Sequence, residues 1–115
     1  MTDPSSGQDF GAQDITLLAG QARKASDILK ALSHETRLLI LWLLSESEKS
    51  VSELEELLAL PQAAVSQQLA RLRYDHLVST RREGRVIHYS ITSPEVSAVV
   101  TSLYELLCEP ADPAG

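Results

Sequence analysis

"SVSELEELLALPQAAVSQQLARLR", residues 50–73, holds two short helical patterns and the turn between them. In its first half Ser52 and Glu55 have the S-x-x-E spacing of a capping box, which predicts a short helix ending near Leu58. "ALPQ" supplies a turn, and Pro61 suits the first turn of a new helix, where its missing N–H costs nothing. Val65, Leu69 and Leu72 then recur at helical spacing, so a second helix over 62–73 buries that stripe. With those three inward, Gln62, Ala63, Ser66, Gln67, Ala70 and Arg71 face outward.

Downstream the period changes from helix to strand. "LVSTR" (77–81) and "RVIHYSI" (85–91) are β-branched and alternating, and Glu83-Gly84 between them reads as a hairpin turn. "SPEVSAVVTSLYELLC" (93–108) then starts a last helix at Ser93-Pro94, with Val96, Val99, Val100, Leu103, Leu106 and Leu107 on one face. Upstream, Ile15, Leu18, Ala22, Ala25, Leu29 and Leu32 repeat at spacings of three and four, a helical stripe with alanine at its middle. Ser33 is the expected N-cap of the next helix, roughly residues 34–45, which is apolar almost all round at "LLILWLL" (38–44) and belongs in the core. "SESEKS" (45–50) is a polar break. The expected order is α-α-α-α-β-β-α: a mainly α chain with a small β-hairpin and no internal repeat.

The 115 residues and 43% hydrophobic content fit one domain with a small core. Residues 14–108 form that domain, between disordered tails at 1–13 and 109–115 that are rich in Gly, Ser, Pro, Asp and Gln or in Pro and Ala. The acidic, polar start is no secretory signal, and "LLILWLL" is far short of the ~20 residues of a membrane span, so a cytoplasmic chain is expected. The single cysteine, Cys108, rules out an intrachain disulfide and a zinc ribbon. No Ser/His/Asp set, glycine-rich phosphate loop or carboxylate pair points to an enzyme, and no cofactor is implied.

Charge is unevenly placed. The whole chain stands at −6, yet five of its ten basic residues, all arginine, lie between Arg71 and Arg85. Against Asp75 and Glu83 they leave residues 61–90 with a net charge of +3, a landing site for a polyanion. A short helix, a tight turn and a second helix followed at once by a basic hairpin make a winged helix-turn-helix. Its second helix presents slender side chains and amides that can enter a major groove, where Gln pairs bidentately with adenine and Ser bonds to a base or phosphate. Arg81, Arg82 and Arg85 of the wing suit phosphates or the minor groove. Taken singly these residues are ordinary surface groups. Winged helices also serve as protein-interaction modules, which stays as the alternative.

"LKALSHETRLLILWLL", "SVSELEELLALPQAAVSQQLARLR" and "HLVSTRREGRVIHYSI" resemble the ArsR/SmtB family of bacterial repressors over about residues 25–107. The resemblance implies a homodimer built through the first and last helices, bound to an imperfect inverted repeat in double-stranded DNA, often its own promoter, and released by an inducer. Carried onto this chain, the recognition-helix positions are Gln62, Ala63, Ser66, Gln67 and Gln68, and the wing tip is Arg82 to Arg85. Gln68 stands where many members have His. The dimer interface draws on Ile15, Leu18, Ala22, Ala25, Val99, Leu103 and Leu106, whose stripes a small core can cover only in part.

Metal-sensing members carry cysteine pairs near the start of the helix-turn-helix or Asp, His and Glu sets on the last helix. Here "SVSELEELL" has no Cys or His, the last helix has no His or Asp, and His34, His76 and His88 are scattered, so no metal site is expected. A metal-responsive repressor is the other alternative. The chain is most similar to a sulfide- and redox-responsive subgroup that uses two cysteines. Cys108 stands at the second position, and Trp42 at the first. Cys108 is therefore a candidate sensor acting as a single thiol, a partner for Cys108 of another subunit, or a small packed hydrophobe. Trp42 reads as a packing residue in the space a bridge would occupy.

Overall fold

The computed structural model describes residues 12–108, divided after Lys30 into two compact units. The first unit is the body of one long helix, α1 (Ala12–Leu32). It begins two residues inside the stretch expected to be a tail; the rest of that tail and residues 109–115 lie outside the described residues. Along α1, Ile15, Ala22, Ala25 and Leu29 are exposed and Leu18 is half-buried.

The second unit runs α2 (Glu35–Glu46), β1 (Lys49–Ser50), α3 (Val51–Leu58), α4 (Gln62–Tyr74), β2 (Val78–Glu83), β3 (Val86–Ile91) and α5 (Pro94–Leu107). Its core takes Ile40 and Leu41 from α2, Leu54 from α3, Val65, Leu69 and Leu72 from α4, and Val96 and Val100 from α5, all fully buried. Each such side chain contributes about 1.5–3 kcal/mol of apolar burial, so α4 is seated by its inward stripe rather than by its polar groups. Leu106 and Leu107, at the far end of α5, are left exposed.

One strand more than expected is present. "SESEKS" is not only a break: Lys49 and Ser50 pair antiparallel with Tyr89 and His88, making a three-stranded sheet in the order β1-β3-β2. Two residues are too few to show a period. The hairpin itself has six facing pairs, from Val78 with Ile91 to Glu83 with Val86. Gly84 opens its two-residue loop at φ +65°, a conformation glycine adopts without a steric penalty.

Two expected caps move. α2 is preceded by His34 in extended conformation with no side-chain cap, rather than capped by Ser33. The capping box at α3 is Ser50 with Glu53, not Ser52 with Glu55. The Glu53 N–H donates to Ser50 Oγ at 3.2 Å, and the Ser50 N–H donates to Glu53 Oε1 at 2.8 Å. Two overlapping S-x-x-E patterns compete here, and β1 decides between them by holding Ser50 as the last extended residue before the helix. Pro61 is the N-cap of α4, which starts at residue 62 as expected, and Ser93 and Pro94 take the N-cap and first-turn positions expected for α5.

Both helices of the helix-turn-helix end in a left-handed residue that is not glycine. Ala59 (φ 55°) closes α3 and begins the turn into α4. After α4, His76 (φ 61°) donates its N–H to Arg73 O at 3.0 Å while the Leu77 N–H donates to Leu72 O at 2.9 Å, the paired bonds of a Schellman motif. His76, one of three scattered histidines in the sequence, thus turns the chain from α4 into β2.

Candidate nucleic-acid interface

Three buried residues hold α4, so its opposite face is presented with little freedom to rotate. Ala63, Gln67, Ala70 and Arg71 are exposed there, Gln62 is exposed in the first turn, and Ser66 and Gln68 are half-buried at the flanks. α4 has no side-chain N-cap, and its first turn is the positive end of the helix dipole, which favours a phosphate. At the other end Arg71 Nε donates to Asp75 Oδ2 at 3.2 Å, one turn along the helix.

Gln68 is turned toward the body of the protein. Its Oε1 accepts from Arg37 Nη1 of α2 at 3.4 Å, and Arg37 Nε donates to Ala31 O at 3.0 Å. The amide that sequence places on the reading face is therefore also an attachment of α4 to α2. Arg37 was not singled out from the sequence; the signal that marks it is a single cation in α2, directly before the apolar run.

The wing arginines separate into two groups. Side chains alternate across a strand, so Arg81 and Glu83 share one face of β2 and Arg82 takes the other. Arg81 faces His88 across the hairpin and is engaged by two carboxylates. It forms a two-pronged pair with Glu48, just before β1: Nε donates to Oε2 at 3.3 Å, and Nη2 makes a shorter contact with Oε1. Glu83 Oε1 lies 3.6 Å from Arg81 Nη2 and 3.3 Å from His88 Nε2. The Arg81 guanidinium holds the Glu48 carboxyl below the usual carboxylate range, and Glu48 raises Arg81 in return. The Glu53 carboxyl is also lowered, chiefly by the backbone N–H of Ser50 that it accepts in the capping box. Glu48 was read only as part of a polar break. Arg82 and Arg85, at the tip, are exposed, and Arg82 Nε donates to Gly84 O at 3.2 Å.

Cys108 caps α5, exposed, with its N–H on Tyr104 O at 2.7 Å. Trp42 of α2 is half-buried and packs against α5. Its Nε1–H donates to Val100 O at 2.6 Å, and its ring meets Tyr104 edge-on, centroids 6.4 Å apart. A groove of about 280 Å³ opens beside the pair, lined also by Leu43, Ser45, Glu46 and Thr101. Among the described residues no three of His, Cys, Asp and Glu gather in an arrangement suited to a metal ion, and no helix is long and apolar enough to cross a membrane.

A helix-turn-helix followed by an arginine-tipped hairpin defines a winged helix-turn-helix protein. Residues 34–80 match the family described as bacterial regulatory protein, arsR family. The chain is 46% identical over 86 residues to the transcriptional activator HlyU of Vibrio cholerae, covering 75% of this chain and 80% of that one. It is 34% identical over 104 residues to the biofilm growth-associated repressor of Agrobacterium fabrum, covering 90% and 89%. The solved structure of reduced HlyU from Vibrio cholerae superposes with a TM-score of 0.76 at 44% identity, covering 79% of this chain and 96% of that one. The protein belongs to the arsR family of bacterial regulators, and it is a DNA-binding transcriptional regulator rather than an enzyme.

Proposed function

We propose that the protein is a cytoplasmic homodimeric repressor that reads an imperfect inverted repeat in double-stranded DNA, its own promoter among its targets. The observation that carries this reading is the outward face of α4. Ala63 and Gln67 stand opposite three fully buried residues, Gln62 is exposed in the first turn with half-buried Ser66 at the flank, and the exposed Arg82 and Arg85 follow on the wing. In this reading Gln67 and Gln62 contact base edges, Ser66 and Arg71 bind a base or phosphate, and the wing tip grips the backbone.

Dimerisation is supported by apolar surface that the second unit leaves open: Leu106 is 78% exposed, and Val99 and Leu103 are half-buried beside it. α1 separately presents Ile15, Leu18, Ala22 and Ala25. A two-fold pairing that covers these faces sets two recognition helices about 34 Å apart, one turn of DNA. Repression follows the Agrobacterium relative, which aligns over more of the chain; the Vibrio activator is more identical over a shorter span and carries the opposite sign. A promoter fusion decides this: deleting the gene raises transcription from a repressed promoter and lowers it from an activated one.

The signal in this proposal is a thiol-reactive sulfur species or oxidant acting at Cys108. The exposure of Cys108 supports it, and Trp42 at the position of the first cysteine limits the chemistry to one thiol per chain. Fluorescence anisotropy on the DNA upstream of the protein's own gene tests both parts. Reduced protein is expected to bind specifically, and a polysulfide donor is expected to release wild type but not Cys108→Ser. Tight binding that the donor leaves unchanged would remove Cys108 from the mechanism and keep the repressor. Failure of the reduced protein to prefer any sequence would refute the reading as a whole.

A further inference from the structure

We infer that Arg81 is a positioning residue of the wing: paired with Glu48, it fixes the hairpin against the start of the helix-turn-helix instead of contacting DNA itself. The inference rests on the reading of α4 and the wing as the DNA-binding surface, and assigns a task within it.

Strand register supplies the geometry. Ser50, His88 and Arg81 lie in one row across β1, β3 and β2. Glu48 stands two residues before Ser50, in line with the face that Ser50 and His88 share. From there it meets Arg81 with both carboxylate oxygens, although 33 residues separate the two in sequence. Ser50 is at once the last residue of β1 and the N-cap of α3. A guanidinium clamped on Glu48 therefore fastens the outer strand of the wing to the point where the helix-turn-helix begins. Glu83 closes the cluster by facing both Arg81 and His88. With two carboxylates in contact, Arg81 has little net charge to offer a phosphate. Its neighbour Arg82 lies on the opposite face of β2 and projects from the strand that Arg81 anchors.

The two roles predict opposite signs. Glu48→Ala removes a negative charge beside a surface that binds a polyanion. If Arg81 were a phosphate contact held back by Glu48, this change would free it and tighten binding to every duplex. If Arg81 positions the wing, the same change loosens specific binding although the protein has become less acidic. The experiment measures affinity over a salt series for wild type, Glu48→Ala, Arg81→Ala, the double variant, and the exchanged pair Glu48→Arg with Arg81→Glu. The duplex is one selected by the wild type from a random-sequence pool, with a scrambled duplex as control.

The expected result is a loss of about two- to five-fold on the selected duplex for each single variant, the range of one exposed ion pair. The salt slope stays that of the wild type, the double variant loses no more than either single one, and the exchanged pair recovers in part, because its reversed carboxylate stands beside Glu83. Urea unfolding of each variant confirms that the fold persists. Tighter binding by Glu48→Ala, a slope flattened by about one unit in Arg81→Ala, or unchanged affinity in both overturns the inference while leaving the DNA-binding surface intact. A wild type that selects no duplex overturns that surface and the inference together.

Discussion

α4 and the wing are the two parts of the proposed DNA-binding surface, and they are held in place by different forces. α4 is fastened by Val65, Leu69 and Leu72, each fully buried. The outer half of the wing has no such anchor. Of β2, only Val78 is buried, and toward the tip the strand is tied through Arg81, Glu48, Glu83 and His88 near the surface. Apolar burial has no charge to screen or titrate, whereas exposed ion pairs are screened by salt and titrated by pH. The helix is thus the fixed part of the surface and the wing the part that conditions can move.

The contrast is broken most severely from the helix side. Leu69→Ala should cost about 2–5 kcal/mol of folding stability, read as a lower urea midpoint, and should abolish DNA binding at temperatures where the wild type is still folded. Gln67→Ala leaves the buried stripe untouched. It should keep the urea midpoint, lose about 1–3 kcal/mol on the preferred duplex and relax sequence preference there. Equal loss on all duplexes would mean that Gln67 reads no base. Arg82→Ala, on the wing tip, should weaken binding to every sequence alike and flatten the salt slope by about one unit. An unchanged slope would separate the tip from phosphate. A smaller effect is expected where the two regions join. His76→Gly relieves a left-handed residue at the end of α4, and should raise stability by up to about 1 kcal/mol without altering DNA affinity.

The parts of the molecule legible in its sequence are those with a repeating local pattern. The inward stripe of α4, the Gly84 turn and the Ser93-Pro94 start of α5 each follow from a few adjacent residues. β1 does not, because two residues have no period, and with β1 hidden the wrong one of two overlapping serine–glutamate spacings looks like the capping box. The charged ties were out of reach for another reason. Arg37 meets Gln68 across 31 residues and Arg81 meets Glu48 across 33, and no local spacing foretells such pairs. The sequence therefore names the arginines of the wing but not which of them the fold has already engaged.

Acid should separate the two regions at the point where they meet. The carboxyls of Glu48 and Glu53 lie lower in the folded chain than the ordinary 4.5, one through Arg81 and the other through the Ser50 N–H. An unfolded chain binds protons at these groups at a higher pH than the folded chain does. Their stabilisation is therefore complete above about pH 4.5 and lost as pH falls through the lower folded values. The capping box holds the first turn of α3, and the Arg81 pair holds the wing. Glu53→Gln should flatten the fall in urea midpoint between about pH 5 and pH 3, whereas Glu48→Gln should act mainly on hydrogen exchange at β2 and β3. With the apolar seat of α4 unchanged, amides of Val65 and Leu69 should stay protected in both variants until global unfolding. If wing and α4 amides lose protection together as the pH drops, the wing is not a separately held part, and the contrast between the two regions fails.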